Sequence, residues 1–254
     1  MVSRSSLQHK IEIQQNIEYW RKKPALQKIY KHFYSQIRKE INFNIKGKIV
    51  ELGSGIGNLK SVVPETICTD LFDNPWLDQK ENAYCLTFPD ESVSNFILFD
   101  VFHHLEYPGT ALDEFCRVLK NRGRVIIFEP TVSILGLVVY GLFHHEPLGL
   151  FKEIDWYTPE DFNPNKVSYY AAQSNAWKIF KQEKYQIKLS HWKIIKKKTY
   201  SSLAYILSGG YSKPQMFPDA LLPFISMTDE FLSKFKLIFG TRLLLVLEKI
   251  SLKK

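Results

Sequence analysis

The sequence predicts an α/β protein with a largely parallel sheet flanked by helices. Short β-branched segments alternate with helical ones, and a glycine-rich turn directly follows the first of them. A strongly apolar segment near the C-terminus predicts a last strand that enters the sheet in the opposite direction. With 254 residues, the chain is long enough for one large domain with appendages. We expect strands at Lys48–Leu52, 66–69, 95–99, 124–128 and Arg242–Lys249, and a helix at 110–119.

The composition is that of a globular protein. Hydrophobic residues make up 45% of the chain and charged residues 24%, which excludes collagen-like, disordered and coiled-coil proteins. The longest nearly continuous apolar run, residues 132–143, is shorter than the ~20 residues of a membrane-spanning helix. No apolar stretch follows the first basic residue, so we expect no secretory signal. Because Cys68, Cys85 and Cys116 lack zinc-binding spacing, we expect buried, reduced thiols in a cytoplasmic protein.

The net charge of +8 is concentrated at the N-terminus. Residues 1–48 hold eleven basic and three acidic residues, and the rest of the chain is neutral overall. A second basic cluster, at 178–198, holds eight lysines against one glutamate. Such patches attract anions, and they also occur as solvated surface that keeps a protein soluble. Because the second cluster contains lysine and no arginine, we rank an anionic membrane face or a phosphorylated molecule above nucleic acid.

The chain divides into four segments. Residues 1–45 predict an N-terminal helical cap, with two helices broken at Pro24 and an apolar face on the second. Residues 46–130 hold the strands of the core. Residues 131–184 interrupt the alternation with glycine, proline and aromatic residues, which predicts a lid over the crevice at the carboxyl ends of the strands. Residues 185–254 supply the strands that complete the sheet.

Two local expectations concern the connections and the last segment. Asparagine and glycine at 121–123 predict a turn before the strand at 124–128. The apolar residues of 185–200 predict one strand through Ile187, Leu189, Ile194 and Ile195.

The strongest local motif is V-E-L-G-S-G-I-G-N at residues 50–58. Its three glycines allow the backbone to approach a ligand closely and to adopt torsions barred to other residues. Glu51 ends the strand before this loop. Asp70 ends the next strand, where a carboxylate can accept both hydroxyls of a ribose.

The spacing of this loop discriminates between ligands. The third glycine stands one position earlier than in the G-x-G-x-x-G loop of dinucleotide-binding proteins. A carboxylate before the loop would repel a pyrophosphate, whereas it could pair with an ammonium group. The motif therefore favours a ligand with an amino-acid head and a ribose over a diphosphate.

Together with further segments in the same order, these residues resemble the class I S-adenosylmethionine-dependent methyltransferases, of the small-molecule, methyltransferase type 11-like kind. The resemblance covers residues 46–130 well and extends more loosely to the last strand. It implies a Rossmann-like seven-stranded sheet with helices on both faces, and S-adenosylmethionine as the cofactor. The matching segments are E-L-G-S-G-I-G (51–57), T-D (69–70), N-A-Y-C-L-T-F-P-D-E-S (82–92), F-D-V-F-H-H-L (99–105), R-V-L-K-N-R-G-R (117–124) and E-P (129–130).

The resemblance also implies the cofactor-binding residues. Glu51 would lie near the methionine amino group, and Asp70 would hold the ribose hydroxyls. Asn82 and Ala83 would border the adenine, at a position where the family often has Asp-Ala. The few residues between the loop and the second strand imply a short first crossover helix. The full expected set is Glu51, Gly53, Ser54, Gly55, Gly57, Asp70, Leu71, Asn82, Ala83 and Asp100.

Methyl transfer requires alignment and a dry site, and a hydroxyl or acid acceptor can also require a base. The candidates are His103, His144, His145 and Glu129, because histidine suits proton transfer near neutral pH. A histidine taken alone is more often a packing or cap residue than a base. The lid motif F-H-H-E-P places Glu146 after His144 and His145, and these two histidines, together with Glu146 and Glu129, also suggest a metal site. Adjacent residues do not define a ligand geometry, so the sequence assigns no metal.

We expect the acceptor to be a small or lipid-linked molecule with a hydroxyl or carboxyl group. S-G-G-Y-S-K-P (208–214) and the lid motif are similar to a methyltransferase subgroup associated with cell-surface polysaccharide or lipid-linked glycan pathways. The basic N-terminus fits peripheral contact with an anionic inner membrane face. A nucleic-acid methyltransferase is a weaker alternative, because the N-P-P-Y-type tetrapeptide is absent. A scaffold that binds the cofactor without turnover stays open because of Asn82.

Overall fold

The computed structural model describes residues 4–143, 146–166 and 169–250. Its strands are β1 (Lys48–Leu52), β2 (Thr66–Asp70), β3 (Gln79–Lys80), β4 (Val93–Phe99), β5 (Leu119–Pro130), β6 (Trp192–Tyr200) and β7 (Arg242–Lys249). They form one seven-stranded sheet in the order β3-β2-β1-β4-β5-β7-β6. The first five strands run parallel, and β7 is antiparallel to both of its neighbours. The predicted fold, with its reversed last strand, is confirmed.

The helices pack on both faces of this sheet. Short 3-10 turns at Asn58–Ser61, Phe102–His104 and Pro164–Lys166 connect several elements. None of the helices in the described part of the chain is long and apolar enough to cross a bilayer. The helices are α1 (Arg4–Lys22), α2 (Pro24–Arg38), α3 (Pro108–Val118), α4 (Ile134–Val138), α5 (Asn175–Lys181), α6 (Glu183–Gln186), α7 (Leu203–Leu207), α8 (Leu222–Leu232) and α9 (Lys236–Phe239).

The central strands are buried on both faces, which is typical of parallel strands covered by helices. In β4, Phe96 and Leu98 pack in the core that α3 and α5 cover. Ile97, between them, points to the opposite core, which α2 covers. The continuous apolar run of β4 therefore serves two separate cores.

The cap helices meet at Pro24, as predicted. Proline fits the first turn of α2 because its missing N–H would have no partner there. The apolar residues of α2 recur at helical spacing and are buried against the sheet. The first crossover after the glycine loop is only the 3-10 turn Asn58–Ser61, which confirms that it is short.

Three local expectations were wrong. Residues 121–123 are not a separate turn. They belong to β5 as an irregularity, where the pairing jumps from Val93↔Leu119 to Asn95↔Arg124. The expected strand at 185–200 begins only at Trp192, because residues 183–189 are helical. Cys85 is exposed rather than buried, although all three cysteines are free thiols.

Candidate active site

The glycine loop is fastened to the end of β2. Ser54 N donates a hydrogen bond to Thr69 O (2.8 Å), and Thr69 N donates to Ser54 Oγ (2.9 Å). All three glycines of the loop have positive φ, which glycine tolerates best. Among the described residues, a Cβ on Gly55 would come within 4 Å only of Ile13 Cδ1, at 3.9 Å. The backbone at Gly55 therefore borders open space beneath α1.

Asp70 lies beside this loop with only 8% of its surface exposed. Its Oδ2 accepts a hydrogen bond from Gly55 N (3.2 Å), and its Oδ1 accepts one from Leu71 N (2.7 Å). Two main-chain donors thus orient the carboxylate at the edge of the open space. The pairing of Glu51 with Cys68 and of Leu52 with Thr69 brings Asp70 to the same edge of the sheet as the glycine loop.

Glu51 is almost fully buried in β1, next to the Cys68 thiol. Burial is the largest cause that raises the pKa of Glu51 to about 8, and the charge of Asp70 acts in the same direction. This carboxyl group is therefore largely protonated at neutral pH. A cationic group placed beside it would favour the ionised form.

Asn82 connects the predicted adenine segment to the lid. Its Nδ2 donates to Pro164 O (2.7 Å), and its Oδ1 accepts from Tyr84 N (2.9 Å). Ala83 and Leu71 are half-buried. The amide of Asn82 is thus used by the protein itself, and the adenine contacts of these three residues stay predictions.

Asp100 directly follows β4 and has a φ of 54°, a strained value for a residue with a side chain. Its carboxylate accepts a hydrogen bond from the guanidinium of Arg242, the first residue of β7. Arg242 is 2% exposed, and its guanidinium carbon lies 4.5 Å from the centre of the Tyr205 ring. This ion pair was not predicted, although a single arginine at the start of an apolar strand was its signal in the sequence. The expected position of Asp100 facing the cofactor sulfur stays a prediction.

Glu129, His103 and Glu146 meet at the carboxyl ends of β4 and β5. Glu129 Oε1 accepts hydrogen bonds from Val101 N (2.8 Å) and Phe102 N (2.6 Å). Glu129 Oε2 lies 2.6 Å from His103 Nδ1. On the other side of the ring, His103 Nε2 lies 3.3 Å from Glu146 Oε2. The structure therefore brings together His103 and Glu129, two of the predicted catalytic residues, while His144 and His145 lie outside the described residues.

His104 faces the same glutamate. Its Nδ1 lies 2.8 Å from Tyr170 O, and its Nε2 lies 3.7 Å from Glu146 Oε1. Tyr169 Oη donates to Glu146 Oε1 (2.6 Å), and Gln173 Nε2 donates to Glu146 Oε2. Glu146 and Gln173 were not predicted as partners of His103. They come from distant positions in the chain, and the lid brings them next to the His103 ring.

The two histidines differ in charge. Burial opposes the charged form of His103, but the charges of Glu129 and Glu146 outweigh it and raise the pKa of His103 to about 10. Burial, with the charge of His103, lowers the pKa of His104 to about 4. A base must be unprotonated, and both carboxylates oppose the expected base role of His103, with Glu129 raising its pKa more than Glu146 does. That role stays a prediction.

A cavity of about 150 Å³ opens beside His104. Three tyrosines and a phenylalanine supply aromatic faces, and a glutamate and a lysine supply charge. Such a lining fits a single ring that carries polar groups. The lining residues are Tyr84, His104, Glu106, Tyr107, Phe162, Lys166 and Tyr170.

Comparison with known proteins identifies the domain around this site. Residues 51–127 match the family model described as a methyltransferase domain. Residues 51–127 of the chain therefore form a methyltransferase domain of the S-adenosylmethionine-dependent kind. This confirms the class I, type 11-like resemblance, and it makes S-adenosylmethionine the cofactor. No curated protein matches the sequence closely enough to add a more specific activity.

Solved structures show the same fold. A methyltransferase from Thermotoga maritima, described as a possible histamine N-methyltransferase, shares 14% identity and a TM-score of 0.55, covering 94% of this chain and 98% of that one. An S-adenosylmethionine-dependent methyltransferase from Archaeoglobus fulgidus shares 13% identity and a TM-score of 0.52, covering 88% and 94%. At these identities the likeness concerns the fold.

The site of this methyltransferase fits its cofactor. S-adenosylmethionine carries an amino-acid head and a ribose, which match the buried acid of β1 and the oriented carboxylate of β2. The open space over Gly55 leaves room for a ligand against the backbone. Glu51, Gly55 and Asp70 are therefore the residues that would hold it.

The segment S-G-G-Y-S-K-P has a local role that the sequence analysis did not anticipate. Lys23 is 6% exposed, and its Nζ donates to Ser208 O (2.9 Å), Gly210 O (2.7 Å) and Lys213 O. Gly209 has a φ of 68°, and a Cβ there would lie 2.3 Å from Lys213 O. The backbone carbonyl groups of this turn bind the ammonium group of Lys23, which lies between α1 and α2. The segment thereby fixes the position of the junction between the two helices.

Proposed function

We propose that this methyltransferase transfers the methyl group to an oxygen atom of a lipid-linked small molecule at the cytoplasmic face of a membrane. A glycan on a lipid carrier is the form of acceptor that the sequence resemblance favours. The observation that carries the proposal is an exposed apolar face on the C-terminal helices α8 and α9.

This face is built at helical spacing but points to solvent. Phe224, Met227 and Phe231 of α8 are 65%, 61% and 56% exposed, while Leu222 is buried. Leu237 and Ile238 extend the apolar surface along α9. Soluble proteins rarely expose a contiguous apolar patch of this kind unless it binds a partner or a membrane.

The neighbouring elements extend the surface and add charge. The apolar helix α4 packs beside α9 and exposes Ile134 and Val138. Lys234 and Lys236 are exposed between the apolar residues. An amphipathic surface with lysines at its border fits the boundary between the headgroups and acyl chains of an anionic membrane.

The interior of the site suits a polar headgroup. The cavity beside His104 has room for one ring, and its tyrosines offer both stacking faces and hydroxyl groups. His104 lines this cavity, and its ring centre lies 4.0 Å from that of His103, which is buried against Glu129; these three residues form the polar wall of the cavity, with His104 at its surface. We assign the acceptor's oxygen to this wall, because hydrogen-bonding side chains can orient a hydroxyl or carboxyl group there.

The cofactor side is assigned to the glycine loop. When bound, S-adenosylmethionine supplies an electrophilic methyl group on a sulfonium centre. Glu51 would meet the amino group, Asp70 the ribose, and Gly53 and Gly55 would lie under the ligand. Glu129 and His103 are buried, so water is excluded from this part of the wall.

The test is a search for the acceptor by phase partitioning. The purified protein is incubated with S-adenosylmethionine labelled in the methyl group and with separate fractions of a cell extract: lipids, water-soluble small molecules and RNA. The proposal expects label in the lipid fraction, with the bond formed at oxygen. Label confined to the water-soluble fraction or to RNA would overturn it.

The matched control is Asp70→Ala, which keeps the acceptor wall intact. Label that depends on this enzyme must fall with the loss of cofactor binding in that variant. Label that is undiminished in Asp70→Ala comes from a contaminating enzyme and does not support the proposal.

A further inference from the structure

The side chains around Glu146 are arranged as a metal site. We propose that His103, His104 and Glu146 bind a divalent transition metal ion of the zinc class. One ligand atom from each residue lies within 4.8 Å of the others. Neither the methyltransferase fold nor the cofactor requires such an ion, so the proposal goes beyond the function above.

The orientation of both imidazole rings supports this assignment. A histidine that binds a metal through Nε2 commonly donates its Nδ1–H to a carboxylate or a backbone carbonyl. His103 Nδ1 lies 2.6 Å from Glu129 Oε2, and His104 Nδ1 lies 2.8 Å from Tyr170 O. A contact at Nδ1 therefore orients each ring. The partners, a carboxylate for His103 and a backbone carbonyl for His104, are the two kinds that metal-binding histidines use. Their Nε2 atoms are directed at the same glutamate.

The distances between donors also fit. Ligand atoms about 2.0–2.1 Å from a tetrahedral zinc ion lie about 3.3 Å from one another. His103 Nε2 lies 3.3 Å from Glu146 Oε2, and His104 Nε2 lies 3.7 Å from Glu146 Oε1. An ion would fit among these atoms after small side-chain shifts. Two imidazoles and one carboxylate suit zinc or a neighbouring first-row metal better than magnesium or calcium.

A fourth donor lies at the same place. Gln173 is 3% exposed, and its Nε2 lies 3.5 Å from His103 Nε2. Its Oε1 is buried and has no hydrogen-bond partner among the described residues. A half-turn of the carboxamide would exchange the two atoms, so that the hydrogen bond from Nε2 to Glu146 Oε2 is lost and the oxygen is directed at an ion bound between the two side chains. An orphaned buried acceptor of this kind calls for a ligand that the side chains themselves do not supply.

The position of the ion would give it a chemical role. His104 borders the cavity that we assign to the acceptor, so an ion bound to its ring would lie next to that cavity, where it would supply Lewis acid chemistry to an acceptor oxygen that reaches it. Metal binding itself does not depend on the identity of the acceptor, and its test is therefore independent of the proposed function.

The experiment measures metal binding by the full-length, tag-free protein. After treatment with a chelator, the protein is titrated with Zn²⁺ in competition with a chromophoric chelator. A parallel titration with Co²⁺ records the visible bands of an imidazole-bound ion. We expect one tight site per chain, and affinity for Zn²⁺ should fall by roughly 100-fold or more in His104→Asn and in Glu146→Gln.

His32→Asn is the matched control, because His32 is an exposed histidine on α2 and should leave the affinity unchanged. Binding of S-adenosylhomocysteine to each variant checks that the fold is intact. The absence of stoichiometric binding by the wild-type protein would overturn the proposal. Equal affinity in the wild type, His104→Asn and Glu146→Gln would also overturn it, since the ion would then lie elsewhere.

Discussion

At the scale of single residues, the two acids of the glycine motif are prepared for a ligand in different ways. Asp70 is held by two main-chain N–H groups, so its direction is set before a ligand arrives. Glu51 is buried with a raised pKa, so its charge depends on what lies beside it. These differences give each residue a separate test.

Replacing Asp70 by alanine should weaken the binding of S-adenosylhomocysteine by about 30- to 150-fold. The variant loses charge-assisted hydrogen bonds to the ribose, worth roughly 2–3 kcal/mol. Isothermal titration calorimetry measures the change. Asp73→Ala is the control, because the Asp73 side chain is 84% exposed on the same loop. Wild-type affinity in Asp70→Ala would contradict the ribose assignment.

The affinity for S-adenosylhomocysteine should rise with pH, in the wild type but not in Glu51→Gln. With a pKa of about 8, Glu51 holds a proton in the free protein at neutral pH. The ammonium group of the ligand favours the carboxylate, so binding releases this proton and strengthens as pH increases towards 8. The gain should approach tenfold per pH unit below pH 8 and then level off. If the affinity of the wild type did not change between pH 6 and 8, Glu51 would not be the residue that pairs with the amino group of the ligand.

Residue identities could be predicted where a motif fixes them locally, and not where the fold joins distant positions. Glu51 and Asp70 follow from a loop whose spacing is written in one stretch of sequence. The Asp100–Arg242 ion pair and the contact of His103 with Glu146 depend on the reversed strand and on the lid. Since many conformations are open to a lid with several glycines and prolines, its contacts cannot be read from spacing.

At the scale of elements, the cap depends on one buried lysine. The ammonium group of Lys23 is enclosed by carbonyl groups of the turn at 208–214. Tyr211 of that turn accepts a hydrogen bond from Asn58, which follows the glycine loop. The junction of α1 and α2 is thereby connected to the cofactor side of the sheet. Ile13 of α1 lies over Gly55, so a displaced cap would change the space above the loop.

Lys23→Met should lower the free energy of unfolding by about 2 kcal/mol or more, because it leaves buried carbonyl groups without a donor. Lys22→Met should change it by less than about 0.5 kcal/mol, since Lys22 is exposed and forms a surface ion pair with Glu18. Chemical denaturation of the two variants compares adjacent lysines of the same chain. Equal stability of both variants would show that the carbonyl turn does not depend on Lys23.

The elements themselves were predicted well where local signals agreed. Pro24 and the spacing of apolar residues predicted α2, and β1 and β7 were predicted at their observed bounds. The expected strand at 185–200 began too early. Ile187 and Leu189 alternate as in a strand, yet they lie in a 3-10 turn that leads into β6. Alternation over only three residues does not separate these two structures.

At the scale of the whole molecule, charge and apolar surface lie in different places. The sequence places the net positive charge in the N-terminal segment and predicts membrane contact there. The structure exposes its apolar face on α4, α8 and α9 instead. Sequence alone could not show this, because the same spacing in α2 produces a buried face. Only the packing of each helix decides which apolar stripe meets solvent.

The exposed face leads to the last prediction. The wild-type protein should sediment with vesicles that contain anionic lipid, and the double variant Phe224→Ser, Phe231→Ser should bind at least about tenfold more weakly. Burying even part of two phenylalanine side chains contributes more than the 1.4 kcal/mol of a tenfold change. Neutral vesicles should bind less protein, because Lys234 and Lys236 border the face.

Phe151→Ser serves as the control for this measurement, because Phe151 is 99% exposed outside α4, α8 and α9. It should bind vesicles as the wild type does. Sedimentation velocity without lipid tests the remaining alternative, in which two copies of the chain associate through the same apolar face. A wild-type dimer that the double variant abolishes, with no binding to vesicles, would assign the face to self-association and remove the main support for a lipid-linked acceptor.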